Sequence, residues 1–376
     1  MFKLAWKNLF HDRVRLAVTL VGIVFALVLI LVQFGLFLSF LDTSANIVER
    51  SGADLWITAP KVPYVNGGPP LSEANRWKAL AVEGVERVDR YILAWVPWKL
   101  KSGAIESVQV VGYNLDSGLG GPWNVVAGSV EDLRGEDAVM VDEIYKDLLG
   151  VTHIGQVFEI SNRRARIVGF TRGIRSFTTA PFVFCSFKNA QNYGAGNLKE
   201  DQAVYLLVKG KAGIALEALR AAVQAKVPEL DVLTNAEMHG RTQTHWVFAT
   251  GAGITTLMGA VLGLIVGVVV VAQTIYAATV DHIREFGTLK AMGASNGRIY
   301  EVILAQAAIS GGMGYAVAIA IAAFIARGSE GGNAPIALPP EVAAGTLLLA
   351  LAMCMGASVI SIRKATRIDP AMVFRG

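Results

Sequence analysis

Cysteine is almost missing from this sequence. Only Cys185 and Cys354 occur among 376 residues, the first in a stretch of ordinary polarity and the second inside an apolar run. A boundary between water and membrane is expected to separate them, so they imply neither a disulfide framework nor a metal site. Histidine is also sparse. His11, His153, His239, His245 and His282 show no H-x-x-x-H spacing and no pairing with cysteine, which argues against a metal centre. The P-loop pattern, with its Lys and Ser/Thr, occurs nowhere, so the chain is not expected to supply an ATP site; Asn66-Gly67-Gly68-Pro69-Pro70 and Gly118-Leu119-Gly120-Gly121-Pro122 read as turns. No basic tract is interleaved with aromatics, which excludes the usual nucleic-acid footprint. Asp116, Glu131, Asp132, Glu136, Asp137, Asp142 and Glu143 fall in turns and at helix starts, where solvated acids are normal, and they form no catalytic motif. Neither a catalytic residue nor a bound cofactor is expected.

Charge is the next scarcity. Only 17% of residues are charged against 53% hydrophobic, with a mean hydropathy of +0.47, beyond what an ordinary soluble domain shows. Residues 16–41 carry no charge and are long enough to cross a bilayer of roughly 30 Å; the run is too long for the apolar core of a cleaved signal peptide. Residues 246–280, 302–326 and 342–362 are likewise uncharged. The expected fold is therefore an α-helical membrane protein with four transmembrane helices and a large mixed α/β extracytoplasmic domain, residues 42–245, inserted between helices 1 and 2. The second uncharged run is nearly twice what a bilayer needs, so its helix is expected to extend outward as a stalk. Residues 1–15 read as an interfacial helix, 281–301 as a cytoplasmic loop, 327–341 as a short outer turn and 363–376 as a cytoplasmic tail. Lys and Arg flank the N-terminus, the central loop and the C-terminus, which places both ends in the cytoplasm. Gly259, Gly263 and Gly267 share one face, where another helix can approach closely, either within one protomer or across a dimer. Gln33 reads as a polar contact at a helix interface or as a tolerated polar residue.

Within residues 42–245, β-branched and aromatic runs predict strands at Ala53–Thr58, Val85–Trp98, Ser107–Tyr113, Ala138–Val141, Val157–Thr171, Pro181–Ser186 and Ala203–Lys209. Helices are expected at Ser72–Ala81, Asp142–Leu149, Phe187–Tyr193 and Ile214–Val227, with Ser72 and Asp142 as N-caps. The polar stretch Ser161-Asn162-Arg163-Arg164 between two alternating segments reads as a hairpin turn.

The central loop carries the most specific signal. Phe286, Leu289 and Met292 put bulky apolar groups on one helical face, while Arg284, Glu285 and Lys290 offer charge to a partner. With Gly287 and Gly293, the pattern Arg-Glu-x-Gly-x-x-Lys-Ala-x-Gly-Ala resembles the coupling helix of the MacB/FtsX superfamily of ABC-transporter permeases, the type VII transporters. The series Val110-Val111-Gly112-Tyr113, Gly128, Val139-Met140-Val141-Asp142, Leu149-Gly150, Ile154-Gly155 and Ile167-Val168-Gly169 resembles the periplasmic core domain of the same family. The tail from Ile368 to Arg375 is similar to its D-P-containing end, with Phe374 in place of Leu. The fused ATPase of MacB itself is not in the sequence, and Ala53-Asp54-Leu55-Trp56-Ile57 looks like the stand-alone DevC-type permeases.

That resemblance implies an inner-membrane exporter subunit that moves an envelope or hydrophobic substrate by mechanotransmission. It implies a homodimer of permeases, two copies of a separate ABC ATPase holding ATP and Mg, and an associated membrane fusion protein with an outer-membrane channel. Arg284, Glu285, Phe286, Gly287, Leu289, Lys290, Met292 and Gly293 would then grip the ATPase. An FtsX-like regulator of an envelope enzyme and a lipoprotein-extraction permease are the alternatives. No side-chain constellation selects among glycolipid, lipoprotein, peptide and drug.

Overall fold

The computed structural model describes residues 6, 9–10, 13–178, 180–281, 288, 292, 294–332 and 334–366. They divide into two compact units, one drawn from the chain before residue 40 and after residue 253, the other essentially residues 40–253.

The first unit contains four helices long and apolar enough to cross a membrane. They are α1 (Arg13–Glu49), α7 (Ala252–Asp281), α8 (Asn296–Ser329) and α9 (Pro340–Thr366). Each runs beyond its uncharged stretch at one end or both, because polar residues do not end a helix whose backbone bonds can continue. In α1 the extra turns carry Ala45, Ile47 and Val48, all buried, and the chain leaves helical geometry near Gly52 at φ +72°. The membrane unit's core is small: Ile23, Ala26, Leu27 and Ile30 of α1 pack with Val271, Ala307, Ala318, Ala350 and Cys354. Small residues there permit close helix approach.

The second unit is a mixed α/β domain. Its main sheet runs β12 (Asp231–Thr234), β1 (Leu55–Thr58), β11 (Tyr205–Gly210), β3 (Val85–Lys99), β4 (Ile105–Tyr113), β9 (Phe182–Ser186), β6 (Ala138–Asp142), β8 (Arg163–Thr171) and β5 (Val125–Ala127). β7 (Val157–Ile160) pairs with both β3 and β8, so β3, β4, β9, β6, β8 and β7 form a closed ring of strands. Closure removes the unpaired edges that an open sheet would expose. Neighbours pair antiparallel except β4 with β9 and β6 with β8. The β7–β8 turn holds Ser161 at φ 49° and Asn162 at φ 61°, the positive pair a tight two-residue hairpin requires. Gly128, at φ +77°, lies so close to the Val168 carbonyl that a side chain there would collide with backbone. In the open part of the sheet, Trp56 is fully buried and meets the rings of Tyr91 and Tyr205 edge-on, both at 5.5 Å.

Three local expectations change. Ser72 still offers its Oγ to the Ala74 N–H, at 3.3 Å, but is not itself the residue before the helix. It ends the short strand β2 (Leu71–Ser72), which pairs with β10 (Gln202–Ala203), so the helix starts one residue later at Ala74 with Glu73 in the cap position. The expected strand at Ala203–Lys209 is divided between β10 and β11 for the same reason. The long run before the second membrane helix is not one continuous stalk. Helix α6 (Asn235–Thr244) passes through a π-helical turn, His245–Ala249, and breaks at Gly251, φ +76°, before α7 begins. The start of α6 is set by a capping box between Thr234 and Glu237, a T-x-x-E signal present in the sequence.

Candidate functional site

Of the eight loop residues that the resemblance assigns to ATPase coupling, Arg284, Glu285, Phe286, Gly287, Leu289, Lys290 and Gly293 lie outside the described residues. Met292 is described. Its N–H donates to the Thr288 carbonyl at 3.0 Å, a helical i to i+4 bond, and the side chain is 72% exposed. An apolar side chain so exposed on a short loop is available to a partner surface.

The glycines at 259, 263 and 267 face α1 of the same chain. A Cβ at Gly259 would stand 3.3 Å from Gln33 Oε1, one at Gly263 3.5 Å from Leu29 Cγ, and one at Gly267 2.9 Å from Ile30 Cδ1. The same antiparallel seam continues to Gly22, whose Cβ would lie 2.9 Å from Thr274 Oγ1. Gln33 thus lies against the glycine face of α7.

Residues 172–178 of the large domain form a loop that sequence reasoning did not single out. Buried polar groups hold it from below. Asp142 Oδ2 accepts from Thr171 Oγ1 at 2.8 Å and from the Ile174 N–H at 2.7 Å, while Asp142 Oδ1 accepts from the Ile144 N–H at 3.1 Å. The Ser176 N–H donates to the Tyr145 hydroxyl at 3.1 Å, and Gln109 Nε2 donates to Ser176 Oγ and Thr178 Oγ1, both at 3.1 Å. Asn66 Nδ2 donates to Gln109 Oε1. From above, the loop touches both chain segments that lead to membrane helices. Asn46 Nδ2 donates to the Arg175 carbonyl at 2.7 Å; Phe177 meets Phe40 edge-on at 5.3 Å and Trp246 at 4.4 Å. Beside Trp246, the His245 imidazole stacks on Tyr64 with centroids 4.2 Å apart, and burial lowers its pKa from the usual 6.5. These partners are far apart in sequence, which leaves no local pattern to read.

A cleft of about 680 Å³ opens elsewhere on the domain, lined by charged and amide side chains from β3, the end of β4 and the helix at Phe187–Asn192. Among the described residues no group of three or more His, Cys, Asp or Glu is placed to hold a metal ion.

Four apolar helices combined with a large α/β domain inserted after the first define a multi-pass membrane protein with a separate folded domain outside the bilayer. Comparison with known proteins identifies its kind. A model described as MacB-like periplasmic core domain matches residues 16–226, more than half of the chain, and one described as FtsX-like permease C-terminal matches residues 257–370. The chain belongs to the MacB/FtsX type of ABC transporter permeases. It is 23% identical over 372 residues to an uncharacterized ABC transporter permease present in two strains of Mycobacterium tuberculosis, with 96% of each chain covered. Among solved structures it is similar to the periplasmic region of MacB from Actinobacillus actinomycetemcomitans (TM-score 0.38, 10% identity, 51% of this chain and 94% of that one). The extracellular domain of the noncanonic ABC-type transporter YknZ from Gram-positive bacteria is comparable (TM-score 0.35, 12% identity, 48% and 100%).

Proposed function

We propose that this chain is the permease subunit of an ATP-driven exporter in which a separate ABC ATPase does the hydrolysis and the permease transmits motion outward. Two ATPase subunits, carrying ATP and Mg, grip the 281–301 loops of a permease homodimer. The inner membrane holds the complex with both chain ends in the cytoplasm, and a membrane fusion protein and outer-membrane channel receive an envelope or hydrophobic substrate. The observation that carries this reading is the 172–178 loop, where one latched segment contacts Phe40 and Asn46 on one helical approach and Trp246 on the other. A shift of either approach therefore reaches the sheet through Asp142, Tyr145 and Gln109. Residues 16–41, 246–280, 302–326 and 342–362 carry no charged side chain, which favours mechanical transmission over an aqueous ion path.

The test has two parts. Affinity purification of the full chain in mild detergent, with mass spectrometry, should recover an ABC ATPase together with a membrane fusion protein; recovery with a cell-wall hydrolase or its activator would instead mark an FtsX-like regulator. Combined replacement of Glu285 and Gly287 by Ala should leave ATP hydrolysis in place but uncouple it from export, and normal export by that variant would remove the loop's assigned role.

A further inference from the structure

Two aspartates are buried in the large domain, and they are treated differently. Asp142, 2% exposed, receives three hydrogen bonds and ties the 172–178 loop to the sheet. Asp89, 4% exposed and in β3, receives one: Asn114 Nδ2 donates to its Oδ1 at 2.7 Å, while its Oδ2 has no partner among the described residues. Removing a carboxylate from water is costly unless its lone pairs are satisfied, and structural carboxylates complete their bonds as Asp142 does. Asp89 lines the 680 Å³ cleft, and so does Tyr113, 1% exposed, whose hydroxyl also lacks a partner among the described residues.

The rest of the lining narrows the ligand. Arg76 and Arg90 share the single carboxylate of Glu73 at 3.4 and 3.5 Å; Arg76 Nε also donates to the Val88 carbonyl at 2.8 Å and Arg90 to the Glu200 carbonyl at 3.4 Å, which leaves the remaining guanidinium N–H groups of each unspent. Lys188 is exposed at the rim, with no carboxylate within 4.0 Å among the described residues. Asp116, paired with Arg134 at 2.7 Å, and Glu200 also line the cleft, so charges of both signs face a ligand, and Asp89 Oδ2 needs a donor. Hydroxyl groups meet that need without positive charge, since each donates and accepts. A negative group on the same ligand would meet the arginines and Lys188.

We propose that this cleft is a binding site for an acidic saccharide, its carboxylate or other anionic group held by Arg76, Arg90 and Lys188 and its hydroxyls bonded to Asp89 and Tyr113 as the lining shifts to uncover these two buried oxygens. The site lies wholly within the large domain and does not depend on whether the complex exports or regulates.

The experiment uses the full chain in lipid nanodiscs, because alkyl-maltoside detergents present sugars of their own. Calorimetric titration with trigalacturonate and with sialyllactose is compared with neutral maltotriose. Saturable binding of at least one acidic oligosaccharide is expected, stronger than maltotriose, and weakened at least about tenfold in Asp89→Asn and in Lys188→Ala. Lys188→Ala alters an exposed side chain and tests the site without threatening the fold. Thermal unfolding of both variants should stay near that of the parent. The proposal is overturned if neither acidic oligosaccharide binds saturably, if maltotriose binds as tightly, or if folded variants bind as the parent does.

Discussion

The side-chain amide of Asn46, near the end of the first long helix, donates to the backbone carbonyl of Arg175 across 129 residues of sequence at 2.7 Å. Beside it, Phe177 packs edge-on against Phe40 and Trp246. Phe177→Ala should lower the stability of the large domain by about 1–3 kcal/mol through loss of two aromatic contacts, and Asn46→Ala by about 1 kcal/mol. On the proposed function, both should reduce export per ATP hydrolysed far more than they reduce folding. Thermal unfolding and coupled transport, measured on the same preparations, separate the two effects; equal loss in both would reduce the loop to a structural support.

Asp142 gives a stability prediction of the opposite kind from Asp89. Asp142→Ala leaves the Ile144 and Ile174 amides and the Thr171 hydroxyl without their shared acceptor, and should cost about 3 kcal/mol or more. Denaturant unfolding followed by tryptophan fluorescence would register it, and a loss below about 1 kcal/mol would contradict the network as described.

The membrane unit allows a graded test. Gly263→Ala places its new methyl 3.5 Å from Leu29 Cγ, ordinary contact, and should be neutral within about 0.5 kcal/mol. Gly314→Ala drives the methyl into Ile23, whose Cβ would be 3.1 Å away, and should destabilise by about 1–3 kcal/mol through overpacking. Thermal inactivation of the two variants in the same detergent should rank them in that order, and the reverse ranking would contradict the helix contacts that α7 and α8 make with α1.

Acid sensitivity should follow from His245. Burial favours its neutral form and lowers its folded-state pKa from 6.5, so below pH 6.5 the unfolded chain takes up the proton more readily. Stability from this group is therefore present above pH 6.5 and lost as pH falls through the folded value. Between pH 7 and pH 5 the melting temperature of His245→Phe should decline less than that of the parent, with the ring stack on Tyr64 retained. Parallel declines would show that other groups set the acid response.

Much of the organisation is written locally. Long uncharged runs, the polar insert and the Ser161-Asn162 turn depend on residue type and short spacing, so they can be read without coordinates. Helix α6 is equally readable from the T-x-x-E spacing of Thr234 and Glu237. The helix after Ser72 begins one residue later than its local pattern suggests because Ser72 ends a strand paired with Gln202, and that pairing joins distant segments.

The sequence by itself determined that this chain is membrane-bound and that a large α/β insert follows the first apolar run, because each depends on composition or spacing over tens of residues. Tertiary structure alone decided that β7 bridges β3 and β8 to close a ring, that the glycine face of α7 lies against α1, that Phe40, Asn46 and Trp246 meet one loop, and that Asp89 is buried with one oxygen unpartnered among the described residues. Each of these joins segments remote in sequence. Their energies arise only when packing excludes water from groups that are all solvated, and so nearly equivalent, in the unfolded chain.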